Sequence, residues 1–462
     1  MSSLSRTLAQ HVAEIGYAAL PPRAVEASKR SLLDALGVTL AASGLGEGVR
    51  AFVDLAREAG GAAQSTLIGY GDRVPVGMAA LANGAMAHAL DFEDAYDGAP
   101  VHPNAAVVPA ALAIAESLPG VTGRELIAAI ATGCDLVCRL GLCLTENLDD
   151  NGWYPPPILS AFGATAAAAK LLRLDAGQIV DAFSLTLCQA TCSAELKYSP
   201  QSTIRAVRDA FATQAATQSA LLAQKGIRGF DQPFEGKAGF FALYAHGNYD
   251  STLLLDQLGL RYAGEQVSFK PWPACRGTHA MIEGALDIAA SQGLAADDVL
   301  QVRMSGSPIQ RMLDQPAEQK RRPRTAIDAK FSLPFTVATA LLHRKLSLQH
   351  FFPEALQDAA VLDLAQRMSF EVDTGFGMTA GKIEIHTRDG KVHSRRVDQP
   401  YGHPSKPLSE QDLIEKFLDC AAYAARPMDS ARADRLVQNI LNLEAAGSVR
   451  QALFDGLLST EE

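Results

Sequence analysis

The sequence predicts a mainly α protein, a large all-helical domain with a smaller α+β lid domain inserted into it. Three observations carry that expectation. From Ser3 to about Leu260 the apolar residues recur almost everywhere at helical spacing. Near Tyr262 the texture shifts, and Val299–Met304, Arg367–Asp373 and Lys382–Thr387 read as strands. After Pro407 the helical pattern returns, from Ser409 to about Leu458. The expected domains are therefore 1–263 (helical), 264–400 (α+β) and 401–462, a C-terminal segment rejoining the helical domain. With 462 residues, the chain is long enough to bury a core in each.

Local signals place the elements in order. Pro22 opens a helix at the first-turn position it tolerates best, and AVEASKRSLLDALGVTLAAS follows at helical spacing. The cluster Gly44-Leu-Gly46-Glu-Gly48 follows a helix rather than a strand, so it reads as a loop and not a dinucleotide site. Ser65–Gly69 is a short extended piece, and Pro75 starts the helix that leads to Asp91. Thr122 with Glu125, and Asp175 with Gln178, have capping-box spacing and each should open a helix. Between them, Ile158–Leu172 is rich in small residues that let helices approach closely. Ile204–Lys225 reads as one amphipathic helix ended by Gly226. Helices over Thr278–Ala290 and Pro334–Leu342 fill the α+β domain. Its best hairpin signal is Arg388-Asp389-Gly390, between Ile383–Thr387 and Val392–Val397.

Composition excludes some partners. Apolar residues make up 48%, charged residues 20%, and the net charge is −10. That balance argues against nucleic acid or an anionic membrane surface, but not against a small anion in a locally positive pocket. MSSLSRTLAQHVAEIG lacks a basic stretch followed by an apolar run, and no uninterrupted apolar stretch reaches membrane-spanning length. The expectation is a cytoplasmic protein. Of seven cysteines, Cys134 with Cys138 and Cys188 with Cys192 lie one helical turn apart in apolar patterns, so buried thiols are expected. An iron–sulfur cluster would need converging thiolates, and Cys134, Cys138 and Cys143 look like one helix face. Asp91, His102 and His279 are scattered, so no metal site is expected.

Chemistry concentrates between Gly84 and Ser117. Two apolar helices are joined there by a polar connection holding Asp91, Glu93, Asp94, Asp97, Tyr96 and His102, broken by Gly98, Pro100 and Pro103. Asp91 falls at a helix C-terminus, where the macrodipole disfavours negative charge, so helix propensity does not explain it. A solvated acidic loop is the plain alternative. A second group, Lys270 and Arg276, lies in FKPWPACRGTH. Two prolines stiffen that run, and a Lys and an Arg beside a helix N-terminus suit a carboxylate.

NGAMAHALDFEDAYDGAPVHPNAAVVPAALAIAE resembles the DF-D…HP…PA motif of the MmgE/PrpD family, which holds 2-methylcitrate dehydratases, cis-aconitate decarboxylases and iminodisuccinate epimerases. Further resemblances follow in family order at Gly152–Lys170, Phe269–His279, Asp328–Leu342 and Tyr401–Phe417. The resemblance implies an all-helical domain with an α+β lid, a homodimer, and no cofactor. It also implies an acid/base role for His102, oriented by Asp91, and places Lys197 in the site. The sequence departs from the family where Tyr154 replaces a common His, where Ala95 replaces a common Thr, and around Lys197, which Arg205 and Arg208 follow. Cys275 stands where decarboxylase-like members carry His. A phenol with an ordinary pKa near 10 does not exchange protons at neutral pH as imidazole does.

The leading expectation is a metal- and cofactor-independent lyase dehydrating a hydroxy-di- or tricarboxylate, as 2-methylcitrate dehydratase does. His102 would move the carbon proton and Tyr154 would assist the leaving hydroxyl. Lys197, Lys270, Arg276 and Arg205 would hold carboxylates and the enolate-like charge. These residues are expected to converge on one cleft between the domains. An epimerase, isomerase or decarboxylase would use the same base and cations, while a helical binding protein would need none of them.

Overall fold

Two units divide the chain in the computed structural model, which describes residues 3–199 and 202–458. One unit is Met1–Val267 with Ser409–Glu462, and the other is Ser268–Leu408. The division falls a few residues beyond the 263 and 400 expected from sequence. Residues 401–408 stay with the second unit because Phe269 N–H donates to the Gly402 carbonyl at 3.1 Å, and Gly402 N–H to that of Lys406 at 2.9 Å. Apolar periodicity does not report such backbone ties.

Six long helices organise the first unit before residue 267: α1 (Pro22–Leu45), α2 (Val76–Ala89), α3 (Asn104–Ser117), α4 (Gly123–Cys143), α5 (Pro155–Leu171) and α6 (Asp209–Gln224). Pro22 sits in the first turn of α1, and Thr122 and Glu125 form the expected capping box of α4. Helices α4 and α5 cross at Gly133 and Gly163. A Cβ on Gly133 would lie 2.6 Å from the Gly163 carbonyl oxygen, and one on Gly163 would lie 2.4 Å from that of Gly133. Only glycine permits that approach. Among the described residues, α4 is long and apolar enough to cross a membrane, although charged residues interrupt its apolar run. It reaches that length by carrying Asp135 and Arg139 as a buried ion pair at 2.7 Å. In the fold 89% of its apolar window is buried, as in a core helix.

The helix expected over Ile204–Lys225 is broken. A single turn, Ile204–Val207, stops at Arg208, and α6 starts afresh at Asp209. Pro200 and Gln201, which precede it in the chain, lie outside the described residues. The cysteine expectation is corrected in part. Cys134, Cys138 and Cys143 are buried, but the helix carrying Phe183 ends at Leu187, which leaves Cys188 exposed and Cys192 half-buried.

In the second unit, α7 (His279–Gln292) and α8 (Leu333–His343) accompany a four-stranded sheet. Its strands are β1 (Val299–Gly306), β2 (Met368–Val372), β3 (Gly381–Thr387) and β4 (Val392–Val397), in the order β2-β1-β3-β4. Strands β1 and β2 are parallel, and the other pairs antiparallel. The β3–β4 hairpin turns where the sequence placed it, with Gly390 at φ 84°. Helix α9 (Glu410–Ala422) then belongs to the first unit again and packs on α1. Its Lys416 donates to Asp34 of α1 at 2.6 Å and to the Phe92 carbonyl at 2.7 Å. The C-terminal segment thereby holds down the connection that follows α2.

Candidate active site

The site in the first unit grows out of the end of α2. A Cβ on Gly84 would lie 2.4 Å from Thr213 Oγ1 and 3.0 Å from the Asp209 carbonyl, so glycine lets α2 press directly on α6. One turn later His88 points at the break before α6, where Arg208 sits. The chain then reverses at Asp91, whose φ is 47° and whose N–H donates to the His88 carbonyl at 2.7 Å. Asp is among the few residues that accept this left-handed position after a helix. Backbone geometry thus supplies part of the reason for the acid that helix propensity left unexplained. Asp91, Glu93 and Asp94 are all buried, so the connection is not the solvated loop its composition allows.

Hydrogen bonds fix the protons in this cluster. His102 Nδ1 lies 2.8 Å from the Asp94 carbonyl oxygen, which can only accept, so the proton is on Nδ1 and Nε2 carries the lone pair. Glu93 Oε1 lies 3.2 Å from the same nitrogen and 2.5 Å from His88 Nδ1. Arg208 donates to His88 Nε2 and also reaches to 3.5 Å from Nδ1. A guanidinium has no acceptor, so His88 too keeps its proton on Nδ1 and gives it to Glu93. The expected orienter of His102 was Asp91. Glu93 and the Asp94 main chain bond its ring, and Asp91 brings a carboxylate oxygen within 4.8 Å of it.

Charge in the cluster is lopsided. Arg208 is buried, which works against its charge, yet Tyr154, Asp209, Glu93 and Asp91 around it outweigh that and hold it protonated. Burial pushes Asp94 up to about 8, with the Asp34 carboxylate adding to the effect against hydrogen bonds from Asn104. Burial also raises Asp209 to about 6, against the pull of Arg208, whose Nε lies 3.5 Å from its carboxylate.

Tyr154 and Lys197 border this cluster. Tyr154 precedes α5, where Pro155 starts the helix, and its N–H donates to the Cys192 carbonyl at 2.9 Å. The Arg208 guanidinium lies 5.0 Å from the centre of its ring and Lys197 Nζ 5.1 Å from it. Lys197 is also paired with Asp149 at 2.7 Å. Arg205 is buried and offers Arg208 its carbonyl oxygen at 2.7 Å. It thus takes part in the break before α6 through its backbone, which its expected substrate contact did not foresee.

His88, Asp91, Glu93 and His102 each bring one ligand atom within 4.8 Å of the others. Asp91 and His102 are therefore not scattered, as the sequence suggested; the turn at Asp91 brings them together. The spacing would suit a divalent ion. The hydrogen bonding suits proton transfer better, because Nδ1 of each imidazole already donates to oxygen and a guanidinium lies against His88.

In the second unit Lys270 is completely buried. Arg276 donates to the carbonyls of Tyr401 at 2.9 Å and Pro400 at 3.3 Å, and reaches Ser268 Oγ at 3.4 Å. It holds the 400–401 turn against the 268–276 run. His279 donates from Nε2 to the Ala274 carbonyl at 3.0 Å, the packing role its helix-start position suggested. Lys330 bonds the Pro273 carbonyl at 3.0 Å and lies 4.2 Å from the centre of the Phe351 ring.

Sequence reasoning missed His88 and gave Glu93 and Arg208 no role. A signal existed for His88: it is three residues before Asp91, on the same helix face as an otherwise unexplained acid. Arg208 had none, because an unbroken amphipathic pattern hides a break.

Comparison with known proteins finds two family domains in succession along the chain. The MmgE/PrpD N-terminal domain matches residues 6–252, and the MmgE/PrpD C-terminal domain matches residues 272–443. Cis-aconitate decarboxylase of Homo sapiens is 27% identical over 463 residues, covering 96% of this chain and 92% of that protein. The Mus musculus enzyme of the same name is 27% identical over 85% of this chain and 81% of its own. A cis-aconitate decarboxylase-like protein of Aspergillus oryzae is 24% identical over 98% of this chain and 96% of its own.

Proposed function

The chain belongs to the MmgE/PrpD family, and we propose that it is a cofactor-independent lyase that dehydrates a hydroxy-di- or tricarboxylate. The observation that carries this reading is His102. Its Nδ1 proton is tied to the Asp94 carbonyl, so Nε2 is the basic nitrogen, and a buried carboxylate stands behind the ring. That is the arrangement of a general base whose positive charge, once formed, is met by Glu93.

In the proposed reaction His102 Nε2 takes the proton from the carbon next to a substrate carboxylate. The electron pair left behind spreads into that carboxylate as an enolate-like charge, which Lys197 and Lys270 stabilise. It then forms the carbon–carbon double bond as the hydroxyl leaves. Tyr154 gives that hydroxyl a proton, so water departs, and the one proton His102 took then restores the Tyr154 phenol. Asp91 contributes negative charge that favours the imidazolium. The reading keeps the expectation of a cytoplasmic homodimer acting on a small polycarboxylate.

Decarboxylation is the second reading, supported by relatives named cis-aconitate decarboxylase. Against it stand Cys275, where decarboxylase-like members carry His, and Tyr154, where members of the family commonly carry His. Incubating the purified protein in deuterated water with hydroxy- and unsaturated polycarboxylates, followed by NMR, separates the possibilities. A dehydratase yields an alkene or adds deuterium and hydroxyl across one. An epimerase exchanges the α hydrogen without losing water, and a decarboxylase releases carbon dioxide. Release of carbon dioxide alone would overturn the dehydratase reading.

A further inference from the structure

We propose that Arg208, His88 and Glu93 form a buried hydrogen-bonded chain that positions the His102 ring, whose tautomer the Asp94 carbonyl fixes, with His88 as a positioning residue. The inference rests on the reading of His102 as the base, and adds what makes it one.

The chain runs in one direction. Arg208 is held between the Tyr154 ring and Asp209, and donates to its own segment at the Arg205 carbonyl. It also donates to His88 Nε2, which forces the His88 proton onto Nδ1. That proton goes to Glu93 Oε1 at 2.5 Å, and the same oxygen lies 3.2 Å from His102 Nδ1. His88, Glu93 and Arg208 are each at most 2% exposed, so water does not compete for these bonds.

Each link has a distinct effect on His102. Its Nδ1 proton sits between the Asp94 carbonyl and Glu93 Oε1, so both acceptors favour the tautomer with the lone pair on Nε2. When Nε2 takes a proton, the new charge faces a carboxylate already in place, and nothing must reorganise. Without the His88 bond, Glu93 would lose its donor at 2.5 Å and could turn its Oε2, a buried oxygen with no hydrogen-bond partner, toward Arg208. The His88 and His102 rings, with centres 5.3 Å apart, share Glu93 as their bridge. A histidine serving only as core filling would need neither the guanidinium nor the carboxylate.

Imidazole nitrogen–proton correlation NMR on the full-length protein labelled with 15N-histidine tests this without any substrate. Resonances are assigned by comparing wild type with His88→Phe and His102→Ala. In wild type at neutral pH, both His88 and His102 should carry the proton on Nδ1. In His88→Phe, which keeps the ring volume, and in Arg208→Gln, the His102 Nδ1–H signal should shift as Glu93 Oε1 moves, while the Asp94 carbonyl keeps the proton on Nδ1. Wild-type His88 protonated on Nε2 would overturn the proposal with no variant needed. So would a His102 pattern unmoved in both folded variants. The reading beneath it fails separately: His102→Ala that still exchanges substrate carbon hydrogens in deuterated water would remove the base, whatever the tautomers show.

Discussion

His88 and Glu93 are five residues apart, yet Nδ1 of one and Oε1 of the other meet at 2.5 Å although a helix ends between them. The meeting depends on Asp91, whose φ of 47° folds the chain back under the last turn of α2. The backbone and the carboxylate of Asp91 can be separated by mutation. Asp91→Gly takes the positive φ freely, whereas Asp91→Val is strained there by about 1–2 kcal/mol. Chemical denaturation should show Asp91→Val as the less stable of the two by that amount. Equal stabilities would mean that the turn does not impose the left-handed conformation.

Asp94 should make stability fall with rising pH. Its folded pKa, pushed up to about 8 by burial and by Asp34, lies above the ordinary value of 3.8. Between those values the folded state binds more protons than the unfolded state, so stability drops as pH rises, by up to about 1.4 kcal/mol for each unit of difference. Below about pH 4 and above about pH 8 this group contributes no slope. Asp209, raised to about 6, acts in the same direction over a narrower range. Urea unfolding of wild type and Asp94→Asn at pH 5 and pH 8 isolates the Asp94 share. The variant should gain on wild type at pH 8; a gap that is the same at both pH values would refute the assignment.

Lys270→Met tests the second unit's charge. The side chain is fully buried, and methionine roughly preserves its length and packing, so the unit should fold. If Lys270 stabilises charge that develops in the transition state, turnover should drop about a hundredfold or more. Loss of apparent affinity alone would assign it to ground-state carboxylate binding. A folded variant with unchanged turnover and affinity would remove it from the site.

Proton removal and hydroxyl loss should respond to different residues. His102→Ala should abolish exchange of the substrate carbon hydrogen with deuterated water. Tyr154→Phe should slow elimination more than exchange, because it removes only the phenolic proton. Parallel loss of both in Tyr154→Phe would make the phenol part of the base instead.

Exhaustive chelation should leave activity intact. His88, Asp91, Glu93 and His102 approach one another within 4.8 Å, so the test is a demanding one. Activity lost to a chelator and restored by a single divalent metal would convert this cluster from a proton chain into a metal centre.

The helices, the hairpin at Gly390 and both capping boxes were legible in sequence because each depends on local periodicity or on residues a few positions apart. The family motif likewise marked the connection after α2 as the seat of chemistry. Sequence could not supply which acid serves which histidine. That was decided by the reversal at Asp91, by Gly84 letting α2 close on α6, and by the break at Arg208. None of these alters an apolar pattern, and His88 and Arg208 are separated by 120 residues. Arg276 shows the same limit: the carbonyls of Pro400 and Tyr401 that accept its protons lie 124 and 125 residues away, beyond what local sequence reports. Local chemistry is written in local sequence. The pairing of buried charges is settled only when packing excludes water and leaves each donor the acceptors that tertiary structure brings to it.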